Sequence, residues 1–258
     1  MIVKKTPAQI EKMRAAGAVV ARCIKEIVDN IEPGKTTTAD VDVMAQELLR
    51  KYGAKSSFKN YRGYPNTVCV AVNEEVVHGI PGPRILVPGD IVGVDLGAIV
   101  DGWHGDSAVT VAVGGRASDE AMRLLKVTKE ALFKGIEQAR PGKWLSDIGD
   151  AIERHAEKHG YSVVRELVGH GIGRKMHEEP HVPNYRTDDK RVRLEEGMTL
   201  AIEPMINAGG YEVQTLGDSW TVVTRDRSLS AHFEHTVAVR SDGPDILTLV
   251  PAEEAANG

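Results

Sequence analysis

The sequence has little of what a secreted, membrane or nucleic-acid-binding protein needs. It carries two cysteines in 258 residues, Cys23 in a helical pattern and Cys69 in a strand-like run. That excludes a disulfide framework and a zinc ribbon. No apolar run reaches the length of a membrane span. The start, MIVKKTPAQIEKMR, lacks the apolar core of a signal peptide. A reducing cytoplasm is the compartment these absences imply. A basic excess is missing too: 32 Lys and Arg stand against 37 Asp and Glu, a net charge of −5. This argues against a general nucleic-acid binder, whose footprint is a basic surplus. What is present is a hydrophobic fraction of 41%, enough to bury a sizeable core in one large domain or two small ones.

The pattern begins with Thr6-Pro7, a capping hydroxyl followed by proline at the first helical position. Ile10, Met13, Val20, Ile24 and Ile27 fall on one face of that helix, and Gly17 on the same face marks a close approach by a neighbouring element. A second helix is expected over about 39–52, capped by Thr38 and stopped by Gly53. Strand-like runs follow at 67–72, 90–100 and 107–113. Ser118 opens a third helix reaching Arg140, and Ser146 a fourth ending near Gly160. Strands return at 198–206, 211–215, 221–224 and 235–240, and the tail PAEEAANG reads as frayed.

This order, two helices then strands, occurs twice, and the spacing repeats with it. Pro33-Gly34-Lys35, Asp40-Val41 and Lys51-Tyr52-Gly53 match Pro141-Gly142-Lys143, Asp147-Ile148 and Lys158-His159-Gly160. The glycine of GDIVGVD at 89–95 matches that of GMTLAIE at 197–203, and each strand carries a carboxylate six residues later. We expect one domain over 1–258 built from similar α/β halves, about 7–113 and 118–240.

Those carboxylates are out of place. Asp95 interrupts the apolar run IVGVDLGAIV, and Glu203 interrupts LAIEPMI. Such runs belong to strands buried on both faces, where an ionised carboxylate is costly unless it is paired or binds metal. Asp101-Gly102 is a tight-turn signal. A two-residue loop there sets position 97 opposite Asp106 and puts Asp95 on the same face, two residues along. Like charges that close raise each other's pKa, and a divalent cation removes the conflict. Glu234, at the start of HTVAVR, and His170, within GHGIGRKMHEEP, are each unremarkable alone. Together the five make an oxygen-rich set whose four negative charges could balance two divalent ions. The set suits Mn²⁺, Fe²⁺, Co²⁺ or Zn²⁺, and without thiolates it does not suit structural zinc.

At these residues the chain resembles the type I methionine aminopeptidases, over nearly its whole length. The motifs are HGIPG at 78–82, VDLGAIVDGWHGDSA at 94–108, GHGIGRKMHEEP at 169–180, IEPM at 202–205 and DRSLSAHFEHTV at 226–237. The resemblance implies the α+β "pita-bread" fold, with two pseudo-symmetric halves around a central curved antiparallel sheet. It also implies two divalent metal ions. Asp106 and Glu234 would bridge them, His170 and Glu203 would complete one shell, and Asp95 would hold the second ion. Glu203 would also carry the proton, while His78 and His177 would position the scissile amide. A methionine pocket falls on Tyr61, Tyr64, Cys69, His78, Met176, His177 and Trp220. Met176 stands where the family often has phenylalanine, and its flexible thioether still suits such a pocket. Glu178 and Glu179 are expected to orient their loop.

The implied substrate is the N-terminus of a nascent peptide that begins with the initiator methionine and has a small second residue. The implied location is the cytoplasm, and the implied state a monomer. No N-terminal zinc-binding or proline-rich extension is expected. Lys4, Lys5, Lys12 and Arg14 could touch ribosomal RNA, although the reading preferred here is a solvated helix face. An X-Pro dipeptidase shares the fold and ligands but usually carries a further N-terminal domain. A dimetal phosphatase would not explain the motif string, and a binding-only relative would have lost ligands.

Overall fold

The computed structural model describes residues 1–250. Two helices, α1 (Pro7–Asp29) and α2 (Thr38–Lys51), precede β1 (Lys55–Ser56), β2 (Cys69–Val72), β3 (Glu75–Val77), β4 (Ile91–Val100) and β5 (Trp103–Ala112). Then come α3 (Asp119–Ile136) and α4 (Ser146–Lys158), followed by β6 (Ser162–Val163), β7 (Gly169–Gly171), β8 (Glu178–Val182) and β9 (Thr199–Ile202). The chain continues through β10 (Met205–Asn207), β11 (Val213–Thr215), β12 (Val222–Thr224), β13 (Ser230–His232), β14 (Glu234–Arg240) and β15 (Gly243–Ile246). The tail 251–258 lies outside the described residues.

The main sheet has nine strands in the order β1-β4-β5-β14-β9-β7-β8, with β2 added on β4 and β15 on β14. Its strand pairs are antiparallel. Two three-stranded sheets, β13-β10-β6 and β11-β12-β3, stand beside it. Each helix pair covers its own stretch. Val20, Ile24 and Ile27 of α1 and Val41 and Ala45 of α2 pack with Val92, Val94 and Leu96 of β4. Leu124 and Leu132 of α3 and Ile148 and Ile152 of α4 pack with Leu200 and Ile202 of β9 and Val237 of β14. Among the described residues no helix is long and apolar enough to cross a membrane.

Local chemistry explains the element ends. The Thr6 hydroxyl oxygen accepts from the Gln9 N–H while the Gln9 side chain accepts from the Thr6 N–H, a reciprocal cap. At α2 the cap is Thr37, where the sequence suggested Thr38. Asp40 sits three residues after Thr37 and completes the reciprocal pair with it. Thr38 turns inward, donating to the Gly82 carbonyl and accepting from the Gly82 N–H. Helix α3 closes at Ile136, short of the expected Arg140, because the next residues tighten onto the carbonyls of Gly135 and Ile136 ahead of Pro141. The run 198–206 splits into β9 and β10 at Pro204, which has no N–H to give a ladder.

Gly17 meets the neighbour its position implied. A Cβ there would stand 2.3 Å from the Leu247 carbonyl oxygen, and one on Gly105 of β5 would stand 2.6 Å from the Gly17 nitrogen. Helix and sheet therefore touch backbone to backbone.

Candidate metal centre

The β4–β5 hairpin turns on Asp101 and Gly102, both at positive φ (50° and 76°), and Val100 pairs with Trp103. This is the two-residue loop, with Gly97 opposite Asp106 as its parity requires. Asp95 pairs across to Ala108, and Ala108 pairs on its other side with Glu234 of β14. On the far side of β14, His235 is opposite Ile202 of β9, the residue before Glu203. His170 of β7 pairs with Ala201. Neighbouring strands β4, β5, β14, β9 and β7 thus bring Asp95, Asp106, Glu234, Glu203 and His170 to one place.

That place is a cavity of about 130 Å³. Its walls include all five of these residues and also His78, His177, Tyr61, Tyr64, Cys69, Met176 and Trp220. Phe58 and Arg62 complete the lining. Neither was singled out in the sequence, where each sits in a loop without period or motif.

The backbone of the acidic strands is fastened on both sides. The Asp106 N–H donates to the Thr236 hydroxyl oxygen at 3.0 Å, and that hydroxyl donates to the Asp106 carbonyl at 2.8 Å. The Ser107 hydroxyl donates to the Glu234 carbonyl at 2.6 Å, and the Asn184 amide donates to the Glu203 carbonyl at 3.1 Å. The side chains are another matter. Asp95 Oδ1, Asp106 Oδ1 and Glu234 Oε1 are closed off from solvent and have no hydrogen-bond partner. His170 Nε2 lies 3.8 Å from Asp106 Oδ2 and 3.5 Å from Glu203 Oε1. One donor atom from each of Asp106, His170 and Glu234 falls within 4.8 Å of the others.

Charge cannot rest there unopposed. Burial pushes the Asp106 carboxyl up to about 7. Burial, then the Asp106 charge, drives Asp95, Glu203 and Glu234 well above the usual carboxylate range. Burial also lowers His170 to about 4, so its imidazole is neutral. Its Nδ1–H donates to the Gly171 carbonyl at 2.9 Å, which leaves the Nε2 lone pair facing the carboxylates. Unpartnered buried carboxylate oxygens beside a neutral, oriented imidazole fit divalent cations of the Mn, Fe, Co or Zn kind.

The glycines around His170 have a steric reason. A Cβ on Gly169 would stand 2.3 Å from the Ala201 carbonyl oxygen, and one on Gly171 would stand 2.2 Å from that of Glu179. His170 can be carried between β8 and β9 only on a chain without those side chains.

The far wall is aromatic. His177 stacks on Tyr61 with centroids 5.3 Å apart, and its Nδ1 is 2.9 Å from the Tyr61 hydroxyl. Its ring is 4.0 Å from that of His170. Burial and then the neighbouring His170 lower His177 to about 3. Trp220 meets both Tyr64 and His78 edge-on. His78 has φ of 58° and Arg62 has φ of 50°, conformations that side-chain-bearing residues seldom adopt. Glu178 ties its loop as expected, through an ion pair of 2.7 Å to Lys5. Lys5 is therefore a buried tie and not part of a solvated face: it precedes the helix, and its side chain is 2% exposed. Lys4 and Arg14 also have partners, Glu195 and Asp245.

Similarity to known proteins runs the length of the chain. Residues 11–241 match the model of metallopeptidase family M24. Methionine aminopeptidase 1 of Bacillus subtilis is 50% identical over 250 residues, covering 97% of this chain and 100% of the relative. The methionine aminopeptidase of Clostridium acetobutylicum is also 50% identical, over 96% of this chain and 99% of its own. The crystal structure of methionine aminopeptidase from Thermotoga maritima matches with a TM-score of 0.93 and 46% identity, covering 96% of this chain and all of that one. Prolidase from Pyrococcus furiosus matches in fold at TM-score 0.77 and 22% identity, and the alignment takes in 65% of that longer chain.

Proposed function

The chain belongs to the methionine aminopeptidases of metallopeptidase family M24, and we infer from that premise that it removes N-terminal methionine from peptides. The pita-bread fold is common to it and its structural neighbours. The observation that carries the reading is the opening of the carboxylate cluster straight into a pocket lined by Tyr64, Cys69, Met176 and Trp220. Such a pocket has the apolar, polarisable walls that a thioether side chain prefers.

Asp106 and Glu234 would lie between two divalent ions, with His170 and Glu203 on one and Asp95 on the other. Ions held there supply a water of lowered pKa and polarise the scissile carbonyl. The remaining work falls to the protein. Glu203, which lines the cavity beside His170, takes a proton from the attacking water and returns it to the leaving amine. His177 is neutral, and with its Nδ1 accepting from Tyr61 its Nε2–H is free to donate to the substrate carbonyl oxygen. His78, kept neutral by burial, serves the same amide from the Trp220 side. Two metals, a small second residue in the substrate, nascent chains as the source and action in the cytoplasm as a monomer belong to the same proposal. So does the one-domain reading with two similar halves. It draws support from the origin of the ligands, two carboxylates from the first half and the other three residues from the second.

The test is methionine release from Met-Ala-Ser by chelator-stripped protein given Mn²⁺, Fe²⁺, Co²⁺ or Zn²⁺ in turn, beside Gly-Pro as a rival substrate. Metal-restored cleavage of Met-Ala-Ser alone is expected. Cleavage of Gly-Pro alone would replace this reading with a dipeptidase.

A further inference from the structure

A second group of metal-type donors lies on the helical layer, away from the carboxylate cavity. His155 is one turn before the end of α4, and His159 is the residue that closes it. Glu130 of α3 faces them. His155 Nε2 and Glu130 Oε2 are 3.1 Å apart. The two imidazole rings are 4.6 Å apart between centroids. One donor atom from each of the three residues falls within 4.8 Å of the other two.

The details favour a cation. His159 Nδ1–H donates to the His155 carbonyl at 2.8 Å, which leaves the Nε2 lone pair available. The helix end also presents the negative end of the helix dipole. Tetrahedral zinc at about 2.1 Å from its ligands needs donor atoms about 3.4 Å apart, so small side-chain rotations close the set. Glu130 and His155 are open enough to make them, at 41% and 16% side-chain exposure. The nearby cations leave the facing donor atoms open. Lys126 stands 3.9 Å from Glu130 Oε1, leaving Oε2 toward His155. Arg123 donates to the His159 carbonyl and lies over the Tyr161 ring.

We propose that Glu130, His155 and His159 form a second divalent-cation site, separate from the carboxylate centre, that takes Zn²⁺, Ni²⁺ or Cu²⁺ and pins α4 to α3. Two imidazoles and one carboxylate suit these ions better than Mg²⁺, Ca²⁺ or Mn²⁺. Water completes the shell on the solvent side.

The experiment compares full-length protein with His155→Gln and His159→Gln, each dialysed against Zn²⁺ and assayed for bound metal. Far-UV circular dichroism checks that all three are folded. The wild type should hold one more equivalent of zinc than either variant. Cu²⁺ gives a second readout, because His155 and His159 offer two imidazoles at one place. A copper resonance split by two imidazole nitrogens should appear in the wild type and vanish in His159→Gln. Equal zinc content in all three folded proteins, or no two-nitrogen copper signal in the wild type, would overturn the site. Both readouts count bound metal, so they stand or fall apart from the peptidase reading.

Discussion

Asp42 and Asp106 are both buried carboxylates, and the protein treats them in opposite ways. Asp42, on α2, has every lone pair engaged. Oδ1 accepts from the N–H groups of Thr67 and Val68, and Oδ2 accepts from Gln46 and Asn66. Asp106, on β5, keeps Oδ1 bare among three other acids. The first arrangement fixes a loop, because four donors offset the cost of removing a charge from water. The second leaves a carboxylate oxygen unpaired among like-charged groups, a conflict that a bound cation would relieve. Burial alone does not tell a structural acid from a working one; the count of satisfied oxygens does.

The comparison can be broken at either end. On the proposed function, Asp106→Asn should cut kcat for methionine release by roughly 10³-fold or more, since it removes a carboxylate oxygen proposed to hold the ions that stabilise the transition state. The metal-free variant should melt no lower than the metal-free parent, because one repelling charge has gone. A lower melting temperature would show that Asp106 is a structural acid like Asp42. Asp42→Ala should do the reverse. Four donors lose their acceptor, for a loss of about 3 kcal/mol in denaturant unfolding with kcat nearly unchanged.

A smaller effect of Asp106 is read by pH. Asp106 has its folded pKa raised to about 7, above its unfolded value. The metal-free protein is therefore most stable below the ordinary carboxylate range and loses that contribution as pH rises toward about 7. Bound cations cancel the loss. Melting curves of loaded and stripped protein should draw apart from about pH 5 to about pH 8, and a constant gap would contradict the cluster's role. The smallest effect belongs to an exposed acid. Asp29 pairs with Lys25 at 2.6 Å with both side chains more than half exposed. Asp29→Asn should move stability by less than about 0.5 kcal/mol.

Much of this centre can be read from the sequence because its signals are local. The Asp101-Gly102 turn sets the parity that puts Asp95 and Asp106 on one face, and an acid inside an apolar run announces a cost that something must offset. The helices are legible from their caps and their apolar faces, with errors of a residue at Thr37 and four at Ile136. The rest depends on contacts that no local pattern encodes. Lys5 looks like an ordinary solvated lysine until it meets Glu178, 173 positions later. Arg62 and Phe58 reach the cavity through a loop with left-handed residues at Asn60 and Arg62. β7 has three residues, too few to show a period, and its existence depends on β8 and β9.

The place of β14 in the main sheet also bears on when a newly made chain can work. It lies between β5 and β9 and pairs with both. A chain extruded only as far as Glu203, just past β9, has already made Asp95, Asp106, His170 and Glu203, but the strand that joins their two supports has yet to be synthesised. The carboxylate cluster is thus closed by a keystone that arrives late in translation, and loop-closure entropy sets a second delay on top of the first. An unfinished copy of this enzyme, however far its early strands have folded, should be silent toward peptides until residues 234–240 have emerged and slotted in.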